Sequence, residues 1–396
     1  MPSALDLARA IEPEMIALRR DLHQHPETAW EEVRTAALIA DYCRTLGLKT
    51  QCGVAKTGVI AVLNAEKAGP ALALRADMDA LPIPEENEIP YRSSVTGKGH
   101  LCGHDAHVAM LLGAAKLLAR EKARIPFPVW FVFQPAEEVP PGGAELLMAE
   151  HRLDGVAEIY GLHVSPMLPV GCLMLRTGPM MASMDKFGLL IEGRGGHGGM
   201  PQLTHDPVPT AAEMVMALQS IVSRRVDPLD AAVVSVCMME AGSAFNAIPS
   251  RARLTGTARS LAKPLREQLP RWIREIADGV AAAHGQQAQL EYVHGTPVLV
   301  NPAMNTEKMK NAFRTLGGKV HDCRPMMYGE DFAFFLEKIP GCFGFLGAGD
   351  GSDGTAQGFH HPRFGICEEA LAWGAALHLQ LVLDRVETLE TKPEPM

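Results

Sequence analysis

The stretch GHLCGHDAHVAM, Gly99 to Met110, sets Cys102, His104 and His107 close together at the head of an apolar helical pattern. Four further segments carry side chains of the same kind. They are Glu137 and Glu138 in QPAEE, His163 in GLHVSP, His197 in GRGGHGGMP, and His360 with His361 in GFHHPRF. Taken singly, each has an ordinary reading: a hydrogen-bonded structural histidine, or a solvated acidic turn. Taken together they suit two chemistries. A nucleophilic cysteine needs a histidine base, His104 or His107, and an orienting amide or acid. That leaves Glu137, Glu138, His163 and His360 without roles. A metal centre uses them all, because thiolate, imidazole and carboxylate are the ordinary ligands of zinc and its neighbours. One thiolate, one or two carboxylates and three histidines would hold two divalent ions, which can share a bridging ligand and activate a water. A ligand cannot also serve as the base, and two adjacent acids provide one of each.

The elements that must position these residues alternate between strand and helix. ETAWEEVRTAALIADYCRTLGL has helical spacing and ends at Gly47, a C-cap residue. GPALALRADMDALP predicts a buried strand delivering Asp77 and Asp79 to its carboxyl end. HVAMLLGAAKLLAR predicts a helix. FPVWFVFQPAEE predicts a second buried strand, stopped by Pro135, and EIYGLHVSP a third with His163 near its end. Buried strands between helices imply an α/β fold with a mostly parallel sheet, whose ligand site lies beyond the carboxyl ends of the strands.

The middle of the chain reads differently. KFGLLIEGRG, AAVVSVCMMEAG, SRARLTGTARSL and QAQLEYV predict strands. Helices lie at DPVPTAAEMVMALQSIVSRRV, with Asp206 as N-cap and Pro207 at the first position, and at KPLREQLPRWIREIADGVAAAHG. The order β-α-β-β-α-β is a split βαβ unit over residues 184–294, inserted into a discontinuous domain of residues 1–183 and 295–396. EEALAWGAALHLQLVLDRVE predicts a closing helix, and TKPEPM a loose tail.

With 396 residues, two domains are the natural expectation. A net charge of −9 and the absence of any Lys/Arg run argue against nucleic acid as a partner. The first residues carry acids and do not read as a signal peptide. No window approaches the roughly 18 apolar residues of a membrane span. Eight scattered cysteines without a CxxC pair do not form a disulfide framework; apart from Cys102 they are expected to be small core residues. A cytoplasmic protein with no membrane partner is expected.

Several ordered motifs together give the chain its resemblance to a known family. LHQHPE, LRADMDALP, CGHDAH, FQPAEE, GLHVSP, GRGGHGGMP, FNAIPSRARLTGTAR, YGEDFAFF and FHHPRF cover nearly the whole chain. It resembles the peptidase M20 amidohydrolases, in the branch of hippurate hydrolases, N-acyl-amino-acid amidohydrolases and auxin-conjugate hydrolases. The resemblance implies a zinc-peptidase-like catalytic domain with a ferredoxin-like lid and dimerisation domain. It also implies two divalent ions per chain (zinc, manganese, cobalt or nickel), a small N-acyl amino acid as substrate, and a homodimer or higher homo-oligomer. Cys102 then corresponds to the bridging ligand, and His104, Glu138, His163 and His360 to the remaining ligands, His360 being preferred to His361. Glu137 corresponds to the general base. His197 corresponds to a lid histidine that stabilises the tetrahedral intermediate, and Asn246 and Arg259 to residues that hold the substrate carboxylate. Asp77 is expected to orient a ligand or Arg75, and Asp105 and His107 to serve the helix start or support the ligands. Glu330 and Asp331 receive no role. Lid closure implies hinges near 183 and 295. One departure is that other branches carry an H-x-D motif on the strand where this chain has Arg75-Ala76-Asp77, so His104 replaces the strand histidine. Gly198 and Gly199 loosen the lid loop. Rival readings within the family are a dipeptidase or an N-acetyl-diaminopimelate-type deacetylase. A non-catalytic binding protein on a degenerate hydrolase fold is the rival outside it.

Overall fold

A computed structural model describes residues 2–350 and 357–390. The TKPEPM tail lies outside the described residues. The chain forms two compact units. Among the described residues, the larger comprises those up to 178, 301–324 and those from 334 on; the smaller comprises 179–300 and 325–333.

The larger unit is built on an eight-stranded sheet. Its order is Lys49–Val54, Gly58–Leu63, Val129–Gln134, Ala71–Asp77, Val156–Pro169, Gly341–Gly349, Cys172–Leu175, Lys319–Asp322. The four central strands, Val129–Gln134 through Gly341–Gly349, run parallel; Gly58–Leu63 and Cys172–Leu175 join them antiparallel, and the edge strand Lys319–Asp322 runs parallel to Cys172–Leu175. Ala71–Asp77 and Gly341–Gly349 are buried along their whole length, as a parallel sheet covered on both faces requires. Asp77 lies abreast of Gln134. The loops that follow these two strands therefore leave from one edge of the sheet. The helix His104–Arg120 buries almost every side chain up to Leu118 and packs beside Glu12–Gln24 and Ala370–Glu390.

Three features differ from expectation. The strand Val156–Pro169 runs fourteen residues, so His163 sits in its middle and not near its end. The cause is its partner: Gly341–Gly349 pairs with it past His163, as far as Pro169. That partner strand, GCFGFLGAG, reads as a loop because of its glycines. They are there because a neighbouring backbone comes close. A Cβ on Gly341 would lie 1.9 Å from Ile159 O, and one on Gly347 1.9 Å from Pro169 O. Among the cysteines only Cys43, Cys172 and Cys342 join Cys102 in the interior. Cys52 and Cys237 are exposed, each on an edge strand, and Cys323 and Cys367 are half-buried.

The smaller unit is a four-stranded antiparallel sheet in the order Ala232–Ala241, Arg251–Ser260, Met184–Glu192, Gln287–Thr296. The helices Pro207–Ser220 and Lys263–Ala283 pack on it, giving the ferredoxin-like topology. Arg251–Ser260 alternates exposed and buried positions along its first half, with Leu254 facing inward. Phe187, Leu189, Ile191, Met214, Leu218, Leu254, Leu269 and Ile273 form the core. Each such side chain contributes about 1.5–3 kcal/mol. Asp206 caps its helix by accepting a hydrogen bond from Val208 N at 3.0 Å. A short ribbon pairs Gly196–His197 with Ala247–Ile248.

Candidate metal centre

The centre begins with a glycine. Gly103, at φ 99°, ends the loop and starts the helix His104–Arg120; a Cβ there would lie 2.4 Å from Val164 Cγ2. Only glycine lets this turn press against the strand that carries His163. Cys102 and His104, on either side of it, are thereby brought to His163. The Cys102 Sγ and His163 Nε2 atoms are 3.3 Å apart. Ligand atoms of Cys102, His104 and His163 all lie within 4.8 Å of one another, and so do those of Cys102, Glu138 and His360. Cys102 belongs to both groups. A third group joins His104 to Glu137 and Glu138.

His104 and His163 are each aimed by the second ring nitrogen. His104 Nδ1 donates to Asp79 O at 2.9 Å, and His163 Nδ1 donates to Val164 O at 2.8 Å. Both rings then present an Nε2 lone pair to the centre, the arrangement that metal-bound histidines show. Asp79 also accepts from the amide of Glu138 through Oδ2, at 3.1 Å. One aspartate thus holds two members of the group.

The residues fit a pair of divalent cations on three grounds. His104 Nε2 is buried and makes no hydrogen bond. Glu138 Oε1 is likewise buried without a well-formed hydrogen bond, although it stands 3.2 Å from His360 Nε2 and 3.9 Å from His104 Nε2. Burial, with the Glu138 charge next, pushes the Cys102 thiol well above its usual range, so its thiolate requires a cation beside it. Burial opposes charge at His104 too, but Asp77 and Cys102 outweigh it and raise its pKa. Burial and the neighbouring His107 hold His163 well below the usual histidine range, in the neutral form a ligand needs.

The other candidates divide clearly. His107 Nδ1 donates to Asp77, and its Nε2 accepts from Val164 N at 2.9 Å, so neither nitrogen is left for a metal. Asp77 also accepts from Arg75 Nη1 at 2.7 Å, and Arg75 Nε donates to Gln134. Asp77 therefore locks Arg75 and His107. It lies 3.7 Å from His104 Nε2, while Asp79 orients that ring. His361 Nδ1 accepts from Arg363 N within its own turn, whereas His360 faces Glu138. In the smaller unit, His197 is exposed, its Nδ1 accepts from Gly199 N at 3.0 Å, and Gly198 N donates to Asn246 O at 2.8 Å. His197 and Asn246 thus share one ribbon. Arg259 is half-buried and donates to Met327 O at 2.9 Å. Glu330 Oε1 accepts from Phe332 N at 3.0 Å. Sequence reasoning gave no role to Asp79; its position two residues beyond Asp77, at the strand's carboxyl end, was the available signal.

A soft thiolate among imidazoles and carboxylates on an α/β scaffold defines a dinuclear metallohydrolase. Residues 73–384 match the model of peptidase family M20/M25/M40, and the chain belongs to that family. It is 39% identical to an N-acetylcysteine deacetylase of Bacillus subtilis, over 96% of this chain and 99% of that one. It is 38% identical to the IAA-amino acid hydrolase ILR1-like 4 of Arabidopsis thaliana, over 93% and 84%. Among solved structures it resembles the YXEP protein of Bacillus subtilis, described as a dinuclear metal-binding peptidase from the M20 family. That match has a TM-score of 0.84 at 36% identity, over 96% of this chain and 99% of the other. The protein is a metal-dependent hydrolase of amide bonds.

Proposed function

We propose that the protein cleaves the amide of N-acyl amino acids, releasing a carboxylic acid and a free amino acid. The observation that carries this reading is the shared position of Cys102 between two groups of ligand atoms, with Glu137 beside His104 and Glu138. The names of the relatives, a deacetylase of an N-acetyl amino acid and a hydrolase of amino acid conjugates, agree with it. Cys102, His104, Glu138, His163 and His360 would hold two divalent ions, of zinc, manganese, cobalt or nickel. Bound there, the ions supply Lewis acidity toward the amide carbonyl and acidify water. Glu137 takes the proton of the attacking water and passes it to the leaving amine, acting first as base and then as acid. His197 donates to the developing oxyanion. Arg259 and Asn246 bind the free carboxylate of the amino acid. Asp77 keeps Arg75 and His107 in place behind the ligands.

The smaller unit serves as lid and dimerisation surface in this reading, with hinges near 183 and 295. Its edge strand Ala232–Ala241 exposes Met238 and Met239, and Phe245 beyond it is wholly exposed, an apolar edge suited to a second copy of the chain. No helix among the described residues is long and apolar enough to cross a membrane. The free thiols among the described residues fit the cytoplasm. The test is amine release from a panel of N-acetyl and N-benzoyl amino acids, with chelator and with metal restored. Hydrolysis that chelator removes and metal restores is expected. Hydrolysis that survives chelation would return Cys102 to a nucleophilic role.

A further inference from the structure

The acidic pair leaves its strand through an unusual turn. Pro135, which has no N–H, follows the strand Val129–Gln134. Ala136 then adopts φ 50°, a left-handed conformation in a residue that is not glycine. Such a conformation persists only where surrounding contacts determine it. One contact is with Gly143, whose N–H donates to Ala136 O at 3.0 Å; a Cβ on Gly143 would lie 1.9 Å from Pro135 O, so the turn closes tightly. The other comes from a distant part of the chain. Glu32 is fully buried, and its Oε1 accepts from Ala136 N at 2.8 Å. Its Oε2 accepts from Thr57 Oγ1 at 2.7 Å. Thr57 precedes Gly58, where a Cβ would lie 2.9 Å from Pro135 Cδ. The carboxyl group is therefore braced by a second turn that packs on the same proline.

The segment carrying Glu32 also reaches the other acidic strand end. Ala80 N donates to Glu27 O at 2.8 Å, next to Asp79, which holds His104 and Glu138. Residues 27–32 therefore brace both strand ends from which the centre is built. No ion pair with Glu32 is formed among the described residues. A carboxyl group buried without a cation is costly unless its hydrogen bonds are needed where they stand.

We propose that Glu32 is a positioning residue for amide hydrolysis: by binding the Ala136 amide it fixes the direction in which Glu137 and Glu138 leave the sheet. The proposal rests on the reading of Glu137 as base and Glu138 as ligand. Glu32 touches neither substrate nor ligand and acts only through the turn.

The test compares E32A, E32Q and T57V with wild type, at saturating metal, on the best substrate of the N-acyl panel. E32A should lose about 10–100-fold in kcat, the range for groups that orient a metal site from behind, with KM changed much less. E32Q keeps an oxygen for Ala136 N–H and an amide for Thr57, and should recover most of that loss. T57V removes only the brace and should cost a few-fold in kcat at an unchanged Tm. A merely structural role would lower Tm and the active fraction without moving the kcat of the folded enzyme. If E32A does not fold, T57V decides. A kcat drop at wild-type Tm supports the proposal, and wild-type kcat overturns it. Wild-type kcat in both E32A and T57V also overturns it. The underlying reading fails separately: E137Q that keeps full turnover removes the base assignment, whatever the Glu32 variants do.

Discussion

The ligand cluster of the larger unit and the His197 ribbon of the smaller unit are built on opposite terms. In the first, Cys102, His104 and His163 are buried, and each imidazole has its second nitrogen held by an oxygen. In the second, His197 is exposed in a glycine-rich stretch, and its ring accepts from the nearby amide of Gly199. The first spends folding energy on orientation before any substrate arrives. The second leaves its histidine exposed, with its ring held only by the loop's own backbone. Sites that must hold cations need the former; groups that must admit and release substrate need the latter.

Experiments can sharpen or break that contrast, and the largest effect is expected first. Chelation should abolish turnover, and C102A should fail to recover it at metal concentrations that saturate wild type; metal analysis of the dialysed variant checks this. E137A should retain its metal and lose about 10²–10⁴-fold in kcat. Metal retention with turnover intact would take the base role away. H197A should keep metal and Tm and lose about 10²–10³-fold in kcat, as for a lost oxyanion donor. A large fall in Tm would mean that the ribbon is as built-in as the cluster. D79A should lower metal affinity about 10–100-fold, read by competition with a chromophoric chelator.

A separate effect, which leaves turnover aside, is on stability against pH. Burial alone would lower the pKa of His23, but Asp105, at 2.8 Å, and Glu85, at 3.1 Å, outweigh it and raise it from 6.5 to about 9. A raised histidine pKa stabilises fully below about pH 6.5 and is lost as pH rises through 9. Stability should therefore fall over that window by about 3 kcal/mol, read as a falling Tm in thermal unfolding. H23Q should flatten the profile. A pH-independent wild-type Tm would show that His23 is neutral.

Much of this contrast was legible in the residues themselves. Cys102 and His104 stand at a helix start and Glu138 just past a strand whose apolar patterns are plain, so their convergence at one sheet edge followed from parallel topology; His163 was expected near a strand end and lies in the middle of its strand. The β-α-β-β-α-β order of the smaller unit followed from clean periodicity and from Asp206 at its helix start. What stayed hidden was tertiary. Gly341–Gly349 is broken up by glycines because, at Gly341, Gly347 and Gly349, a neighbour's carbonyl oxygen stands where a Cβ would be. Asp79 and Glu32 act through single hydrogen bonds to residues far along the chain, and no local spacing announces such a bond.

The discontinuity of the larger unit bears on how the protein is made. The central strand Val156–Pro169 gains its parallel neighbour Gly341–Gly349 only after the whole of residues 179–300 has been synthesised. During translation the smaller unit's sheet has all four strands in hand while the larger one still lacks an interior strand. His360 emerges later still. With the proposed ligand set, a nascent chain that already displays Cys102, His104, Glu138 and His163 would carry an incomplete cage until the carboxyl-terminal part of the chain docks.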